Sequence, residues 1–194
     1  MKKNNPRFPL FVDLTDRKIV VVGAGNIAAR RVRILCQFSR DITVVAPQIC
    51  QEIRELARKG QVRLICRAYR REDIYDAWMV LAATDDEKVN REVYTAARCL
   101  GAWVNVASDQ KLCDFHFPGI VKRDPVVVGV NASGADHRLA RRVREEIGHS
   151  LEAVLPEKEG RPDDSLYGHA AGKGEGYETD MRRKPGEQAG GDTE

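Results

Sequence analysis

The feature that most constrains this chain is a glycine turn caught between two hydrophobic patterns of different period. Lys18 to Val22 (KIVVV) is a β-branched run that stops at Gly23, and Gly23-Ala24-Gly25-Asn26-Ile27-Ala28 reads G-x-G-x-x-A. Directly after it Ala28, Val32, Leu35 and Cys36 recur at helical spacing. The context matters more than the letters, because a glycine turn can merely join a strand to a helix. Here the first glycine permits the tight turn, the second lets the backbone approach a pyrophosphate, and the small third residue lets helix and strand pack closely. The helix N-terminus offers free N–H groups and a partial positive charge to the same anion. Ile42 to Val45, ending at Ala46-Pro47, supplies the next strand and completes a βαβ unit.

The alternation continues. Helix signals return at Gln51 to Lys59, strand signals at Val62 to Cys66 and Met79 to Ala83, a helix at Asn90 to Cys99 and a strand at Ala102 to Val106. Five strands alternating with helices predict an α/β fold, a doubly wound parallel sheet of the Rossmann type. After Asp114 the pattern changes: Pro118-Gly119 breaks the chain, Val126 to Val130 reads as a strand, and a helix is expected from about Asp136 to Leu151. That stretch is too short for a core of its own and is expected to pack on the sheet or on a second copy. From Pro156 to Glu194 there are eight glycines and three prolines but few large apolar residues, which predicts disorder. The expected organisation is a dinucleotide-binding domain over 1–113, a small C-terminal dimerisation subdomain over 114–155 and a disordered tail over 156–194.

Charge separates body from tail. Residues 156–194 carry six Lys/Arg against ten Asp/Glu, leaving twenty-six against nineteen in residues 1–155. A basic body suits any polyanion, but no aromatic-basic interleaving or recognition-helix signature accompanies it, so nucleic acid is disfavoured. The five cysteines, Cys36, Cys50, Cys66, Cys99 and Cys113, are odd in number and contain no C-x-x-C pair, which points to a reduced, cytoplasmic chain. Lys2 and Lys3 are followed by Asn4, Asn5 and Pro6 rather than an apolar stretch, and no later run approaches membrane-spanning length, so neither export nor a membrane is expected.

Candidate site residues follow from the topology. A dinucleotide site usually has Asp or Glu at the end of its second strand to bond the ribose; this chain has Val45-Ala46-Pro47 there, leaving the backbone or Gln48 to hold the sugar. No arginine stands there to favour a 2′-phosphate, so these residues do not choose between NAD and NADP. Thr84 ends the fourth strand at the carboxyl edge, where it would line the nicotinamide side or form the turn before Asp85-Asp86. Asp109 follows the fifth strand and could accept a proton or ligate an entering metal, or simply form a turn. His116, between Phe115 and Phe117, would point away from both on a strand and toward a cleft, unless it is a structural histidine. Arg30, Arg31, Arg33, Lys122, Arg123, Arg138, Arg141, Arg142 and Arg144 make up much of the basic excess. Most belong to solvated faces, and a minority are expected to meet ligand carboxylates through bidentate bonds. None of the five tyrosines has Lys four residues on, which excludes the short-chain dehydrogenase signature.

Taken in order, these segments resemble the precorrin-2 dehydrogenase family, the N-terminal module of siroheme synthase. The matching pieces are Phe8-Pro9-Leu10-Phe11 with Asp13-Leu14, the stretch Gly23 to Arg31, Val44 to Pro47, Ala82 to Asp86 with Val89-Asn90, Val104-Asn105-Val106, Leu112 to Phe115 with Phe117-Pro118, and Leu139 to Arg142. The resemblance implies a homodimer, NAD+ as hydride acceptor, and a cleft for a polycarboxylate tetrapyrrole, precorrin-2, which is oxidised to sirohydrochlorin. It implies cofactor contacts at Gly25, Asn26 and Ile27, at Pro47 and Gln48, and near Thr84, beside the turn glycine Gly23. Some members also chelate iron.

Two departures stand out. Many relatives carry an acid/base aspartate three residues after the asparagine, where this chain has Ser108 with Asp109 next to it. Relatives often read Ser-Ser-Gly-Gly where this chain has Asn131-Ala132-Ser133-Gly134. Chelation is put in more doubt by these changes than hydride transfer, which depends chiefly on holding NAD+ beside the macrocycle. The general base is expected among Asp109, Ser108 and His116, and no metal ligand is assigned. The rival reading is a non-catalytic NAD-binding sensor or a tetrapyrrole carrier on the same fold.

Overall fold

The computed structural model describes residues 7–133 and 136–155. The expected disordered tail, 156–194, lies outside the described residues. Seven strands and four α-helices run in the order β1 (Ile19–Val22), α1 (Asn26–Leu35), β2 (Ile42–Val45), α2 (Gln51–Arg58), β3 (Arg63–Ile65), β4 (Met79–Ala82), α3 (Glu87–Cys99), β5 (Trp103–Val106), β6 (Gly119–Arg123), β7 (Val126–Val130) and α4 (His137–Val154). The first five strands form one parallel sheet in the order β3-β2-β1-β4-β5. β1 lies at its centre, with Ile19 opposite Ile42 on one side and Met79 on the other. Strand order reverses between β1 and β4, so the crevice at their carboxyl ends is the place where a doubly wound sheet takes its ligand.

All residues of β1, β2 and β4 are buried, which is why they read as continuous apolar runs rather than alternating ones. Alternate side chains serve opposite faces. Ile19, Val21, Val44 and Leu81 pack with Ala28, Ala29, Val32 and Leu35 of α1 and Ile53 of α2. Val20, Val22, Val80 and Ala82 pack with Val93, Ala96 and Ala97 of α3 on the other face. The alanines of α1 and α3 bring both helices close to the strands.

The edge at β5 is closed by the chain itself. Val104 N–H donates to the Asp114 carboxylate at 2.9 Å, and Asp114 N–H returns to the Val104 carbonyl at 2.9 Å. Val106 N–H meets the Cys113 sulfur at 3.2 Å. The free N–H groups of an edge strand thereby find partners without a sixth strand. An aromatic ladder runs beside them, with ring centroids 4.9 Å apart for Trp78 and Trp103, 6.3 Å for Trp103 and Phe115, and 5.7 Å for Phe115 and Phe117.

Residues 119–123 differ from the expectation, whereas the strand expected over Val126 to Val130 is present as β7. Pro118-Gly119 does not break the chain but opens β6, which pairs antiparallel with β7 from Gly119↔Val130 to Arg123↔Val126. Gly119 is tolerated there because the Arg144 side chain of α4 packs over it, 3.2 Å from where a Cβ would lie. α4 begins at the Asp136 cap and runs to Val154, three residues further than its apolar pattern suggested.

One buried group has a measurable consequence. The Tyr69 hydroxyl is buried without a hydrogen-bond partner among the described residues, and burial, with the charges of Glu92 and Asp73, pushes its pKa up to about 12. The folded state therefore holds this proton above the unfolded pKa of about 10. Stability should be unaffected by it below pH 10 and should fall as pH rises from 10 toward 12. Urea unfolding of Tyr69→Phe should show a shallower alkaline decline than wild type and equal or greater stability at pH 7, since no hydrogen bond is lost. A parallel decline in both proteins would refute the assignment.

Candidate functional site

Gly23 ends β1 with φ +107°, and its N–H donates to the Val45 carbonyl at 2.9 Å. A Cβ there would lie 2.3 Å from the Ala83 carbonyl oxygen and 2.9 Å from the Thr84 nitrogen. Both the backbone conformation and the approach of the chain leaving β4 therefore demand glycine. Gly25 is different: a Cβ built on it meets nothing within 4 Å. It is the N-cap of α1 in extended conformation, offers no side-chain cap, and no acid stands in the first turn. Of the four described α-helices, α3 and α4 are capped by Asp86 and Asp136, and α2 carries Glu52 in its first turn. Only α1 has neither. Its first N–H groups face exposed space at the switch point, beside the exposed side chains of Asn26 and Ile27. Room, open donors and positive helix polarity fit the pyrophosphate of a dinucleotide, which Gly25, Asn26 and Ile27 would hold.

Pro47 and Gln48 are exposed after β2, next to the turn, because Cys50 N–H donates to the Ala24 carbonyl at 3.1 Å. Thr84 is half-buried at the end of β4, and it does not cap α3, a role taken by Asp86. Its hydroxyl lies 2.9 Å from Asn90 Oδ1 and 2.9 Å from the Asp86 carbonyl oxygen. Asn90 is buried and clasps the whole turn, accepting from Thr84 N–H at 3.1 Å and donating to the Thr84 carbonyl at 2.9 Å. The same amide nitrogen reaches Ser108 Oγ at 3.4 Å. Thr84 and Ser108 are thus brought together by one buried asparagine.

A cleft of about 330 Å³ opens on the α1 face of the sheet beside β5. Arg31, Asn105, Gln110, Cys113, His116, Phe117 and Asn131 are among its lining residues. Asn105 is buried in β5; its Oδ1 accepts from Arg31 Nη1 at 2.7 Å and its Nδ2 donates to the Phe115 carbonyl at 2.7 Å. The Arg31 guanidinium sits over the Phe117 ring, 5.1 Å from its centroid, and burial pulls its pKa below the usual arginine value. His116 Nε2 is buried without a partner among the described residues. Burial, and secondarily the charge of Arg7, lowers the His116 pKa below 6.5.

Of the three expected proton-transfer residues, His116 alone lines this cleft. Ser108 is exposed above Asn90. Asp109 caps a short 3-10 turn, its carboxylate accepting from Lys111 N–H at 2.9 Å. Arg31 was one arginine among many in the sequence, and Asn90 and Asn105 carried no assigned role. A signal for the two asparagines was present, since each is a lone polar residue at a core-facing position, on the apolar face of α3 and in the strand W-V-N-V. Among the described residues no group of three or more His, Cys, Asp and Glu side chains could hold a metal ion, and no helix is long and apolar enough to cross a membrane.

Comparison with known proteins gives a consistent result. A family model of NAD(P)-binding domains matches residues 10–119. A siroheme synthase of Pseudoalteromonas atlantica is 39% identical over 151 residues, 78% of this chain and 32% of that protein. One from Mannheimia succiniciproducens is 39% identical over 150 residues, 77% of this chain and 31% of that protein. The chain thus spans about a third of the length of the curated relatives it matches. Among solved structures, SirC, a precorrin-2 dehydrogenase, superposes with a TM-score of 0.64 at 31% identity, covering 74% of this chain and 71% of that one.

The two turn glycines should separate cleanly on substitution. Gly23→Ala should cost about 2–6 kcal/mol of stability, combining backbone strain with overpacking against Ala83. Gly25→Asp should unfold at the same urea concentration as wild type or slightly higher, because Asp is a good N-cap. It should nevertheless lose NAD+ binding, because its carboxylate occupies the anion's place. Titration calorimetry beside urea unfolding reads both; a folded Gly25→Asp protein with unchanged NAD+ affinity would remove the pyrophosphate assignment.

Proposed function

This chain belongs to the precorrin-2 dehydrogenase family, and from that premise we propose that it oxidises precorrin-2 to sirohydrochlorin with NAD+ as the hydride acceptor, in siroheme formation. The observation that carries the reading is the uncapped N-terminus of α1 at the switch point, on the same sheet face as a cleft lined by Arg31 and His116. A nicotinamide dinucleotide, when bound, supplies the site that takes the hydride. The chain's part is to hold it: Gly23 permits the turn, Gly25, Asn26 and Ile27 receive the pyrophosphate, and Pro47 and Gln48 border the ribose. NAD+ is the proposed acceptor because the family resemblance implies it; the residues after β2 carry neither the ribose acid nor a cation for a 2′-phosphate. Thr84, locked by Asn90, presents a fixed surface to the nicotinamide side.

Loss of a hydride from the reduced macrocycle leaves a proton to be removed. His116 is the proposed acceptor, because burial keeps its imidazole neutral at pH 7 and its Nε2 has no protein partner. Asp109 and Ser108 are the remaining candidates for this role. A homodimer in the cytoplasm is the proposed form; exposed Phe8 and Phe11 near the N-terminus and exposed Leu139, Val143 and Val154 on α4 offer apolar surface for a second copy. The engagement of the Asp109 carboxylate in a helix cap favours one competing reading, a non-catalytic NAD-binding sensor or tetrapyrrole carrier.

Anaerobic incubation of the purified protein with excess precorrin-2 and NAD+, followed by absorption of sirohydrochlorin and NADH, separates the two. Multiple turnovers are expected, and binding without turnover would establish the sensor or carrier. If His116 accepts the proton, kcat should fall as pH drops through a pKa below 6.5, where the imidazole becomes charged. His116→Gln should lower kcat by roughly 10²- to 10⁴-fold and abolish that limb, with NAD+ affinity unchanged. Full activity in His116→Gln together with a comparable loss in Asp109→Ala would transfer the role to Asp109.

A further inference from the structure

Six arginines of the described residues meet a carboxylate, and they include both half-buried ones other than Arg31, namely Arg67 and Arg144. Arg33 meets Glu52 at 3.3 Å, Arg67 meets Asp73 at 2.5 Å, Arg98 meets Asp114 at 2.8 Å, Arg123 pairs with Glu152, and Arg141 meets Glu145 at 2.8 Å. Arg31 has no carboxylate partner among the described residues, although it is half-buried. Among the described residues no Asp or Glu lines the cleft it faces. A partly desolvated cation without a counter-ion is costly, and the cost is recovered when an anion arrives. The guanidinium is also held in advance. One N–H is committed to Asn105 Oδ1 at 2.7 Å, the plane rests on Phe117, and Asn105 is itself fixed by the Phe115 carbonyl. A guanidinium has five N–H donors, so several remain for a ligand, and little side-chain entropy is left to lose.

We propose that Arg31 is a substrate-positioning residue that binds one carboxylate of the macrocycle in the cleft beside β5, with Asn105 and Phe117 orienting it. This rests on the substrate proposed above. Arg31 stands five residues into α1, about 7 Å along the helix from the open N-terminus that suits the pyrophosphate. The anion it takes is therefore a second one, separate from the cofactor's phosphates. Binding there aligns the macrocycle between His116 and the nicotinamide side, which is the positioning that hydride transfer requires.

The test compares wild type, Arg31→Met and, as a control of equal charge change, Arg58→Met on the exposed face of α2. Three quantities are measured: KM for precorrin-2, Kd for sirohydrochlorin by absorption titration, and Kd for NAD+. Arg31→Met should raise KM and the sirohydrochlorin Kd by about 10- to 100-fold, the worth of a charge-assisted contact. Its NAD+ Kd should equal that of wild type, which also certifies its fold. Arg58→Met should match wild type throughout. Unchanged sirohydrochlorin binding in folded Arg31→Met overturns the proposal, as does a loss confined to NAD+, which would make Arg31 a phosphate ligand. Should Arg31→Met not fold, wild type is titrated with the octamethyl ester of sirohydrochlorin; affinity equal to that of the free acid overturns carboxylate recognition, and a loss of tenfold or more supports it. A wild-type protein that never turns over precorrin-2 removes the functional reading itself, whereas turnover with an unaltered Arg31→Met KM removes only this inference.

Discussion

The close approach of Gly23 to the chain leaving β4 is the constraint on which the rest of the molecule depends. With the Ala83 carbonyl oxygen 2.3 Å from any Cβ at that position, the ends of β1 and β4 meet as bare backbone. That contact fixes the switch point. It sets where α1 begins, and hence where its unpaired N–H groups point; on the other side it sets where Thr84 emerges. Asn90 then locks Thr84 from α3 with three hydrogen bonds. The site proposed for a charged dinucleotide is thus built from main chain, and the main chain is held by two residue choices, one without a side chain and one with a buried amide.

A second buried amide organises the opposite side of the site. Asn105 interrupts β5 with a polar group whose oxygen and nitrogen both have partners, and so it carries no unsatisfied penalty. What it gains is direction for Arg31. The two asparagines are the same device used twice, a polar residue on a core-facing position that orients a neighbour at the edge of the proposed site. An apolar side chain at either position would also leave the groups it now pairs, Thr84 N–H or the Phe115 carbonyl, without that partner.

Much of this was legible before any coordinates. β1, β2 and β4 are buried on both faces, so they read as continuous apolar runs, β-branched in β1 and β2, and the glycine turn gained its meaning from the strand before it and the helix after it. β6 was missed because Pro118-Gly119 looks like punctuation and Lys122-Arg123 dilutes its apolar pattern; only pairing with β7 makes it a strand. Asp109 looked free to face a cleft, since nothing in the sequence shows that the chain folds into a 3-10 turn and spends the carboxylate on Lys111 N–H. The singularity of Arg31 was equally invisible. Its neighbours in sequence are also arginines, and only tertiary structure half-buries Arg31 while Arg30 stays exposed and Arg33 meets Glu52.

The aromatic ladder has an optical consequence. Trp78 and Trp103 are the two tryptophans of the chain, and with centroids 4.9 Å apart their indole transitions couple. Trp78 directly precedes β4 and Trp103 begins β5, so the tryptophan part of the near-ultraviolet circular dichroism responds to the alignment of these two strands at their amino ends. The glycine turn after β1 lies at the opposite, carboxyl end of the sheet. A change in that signal on heating marks the opening of the β4–β5 edge, and through Phe115 and Phe117 the same ladder continues to the cleft beside β5.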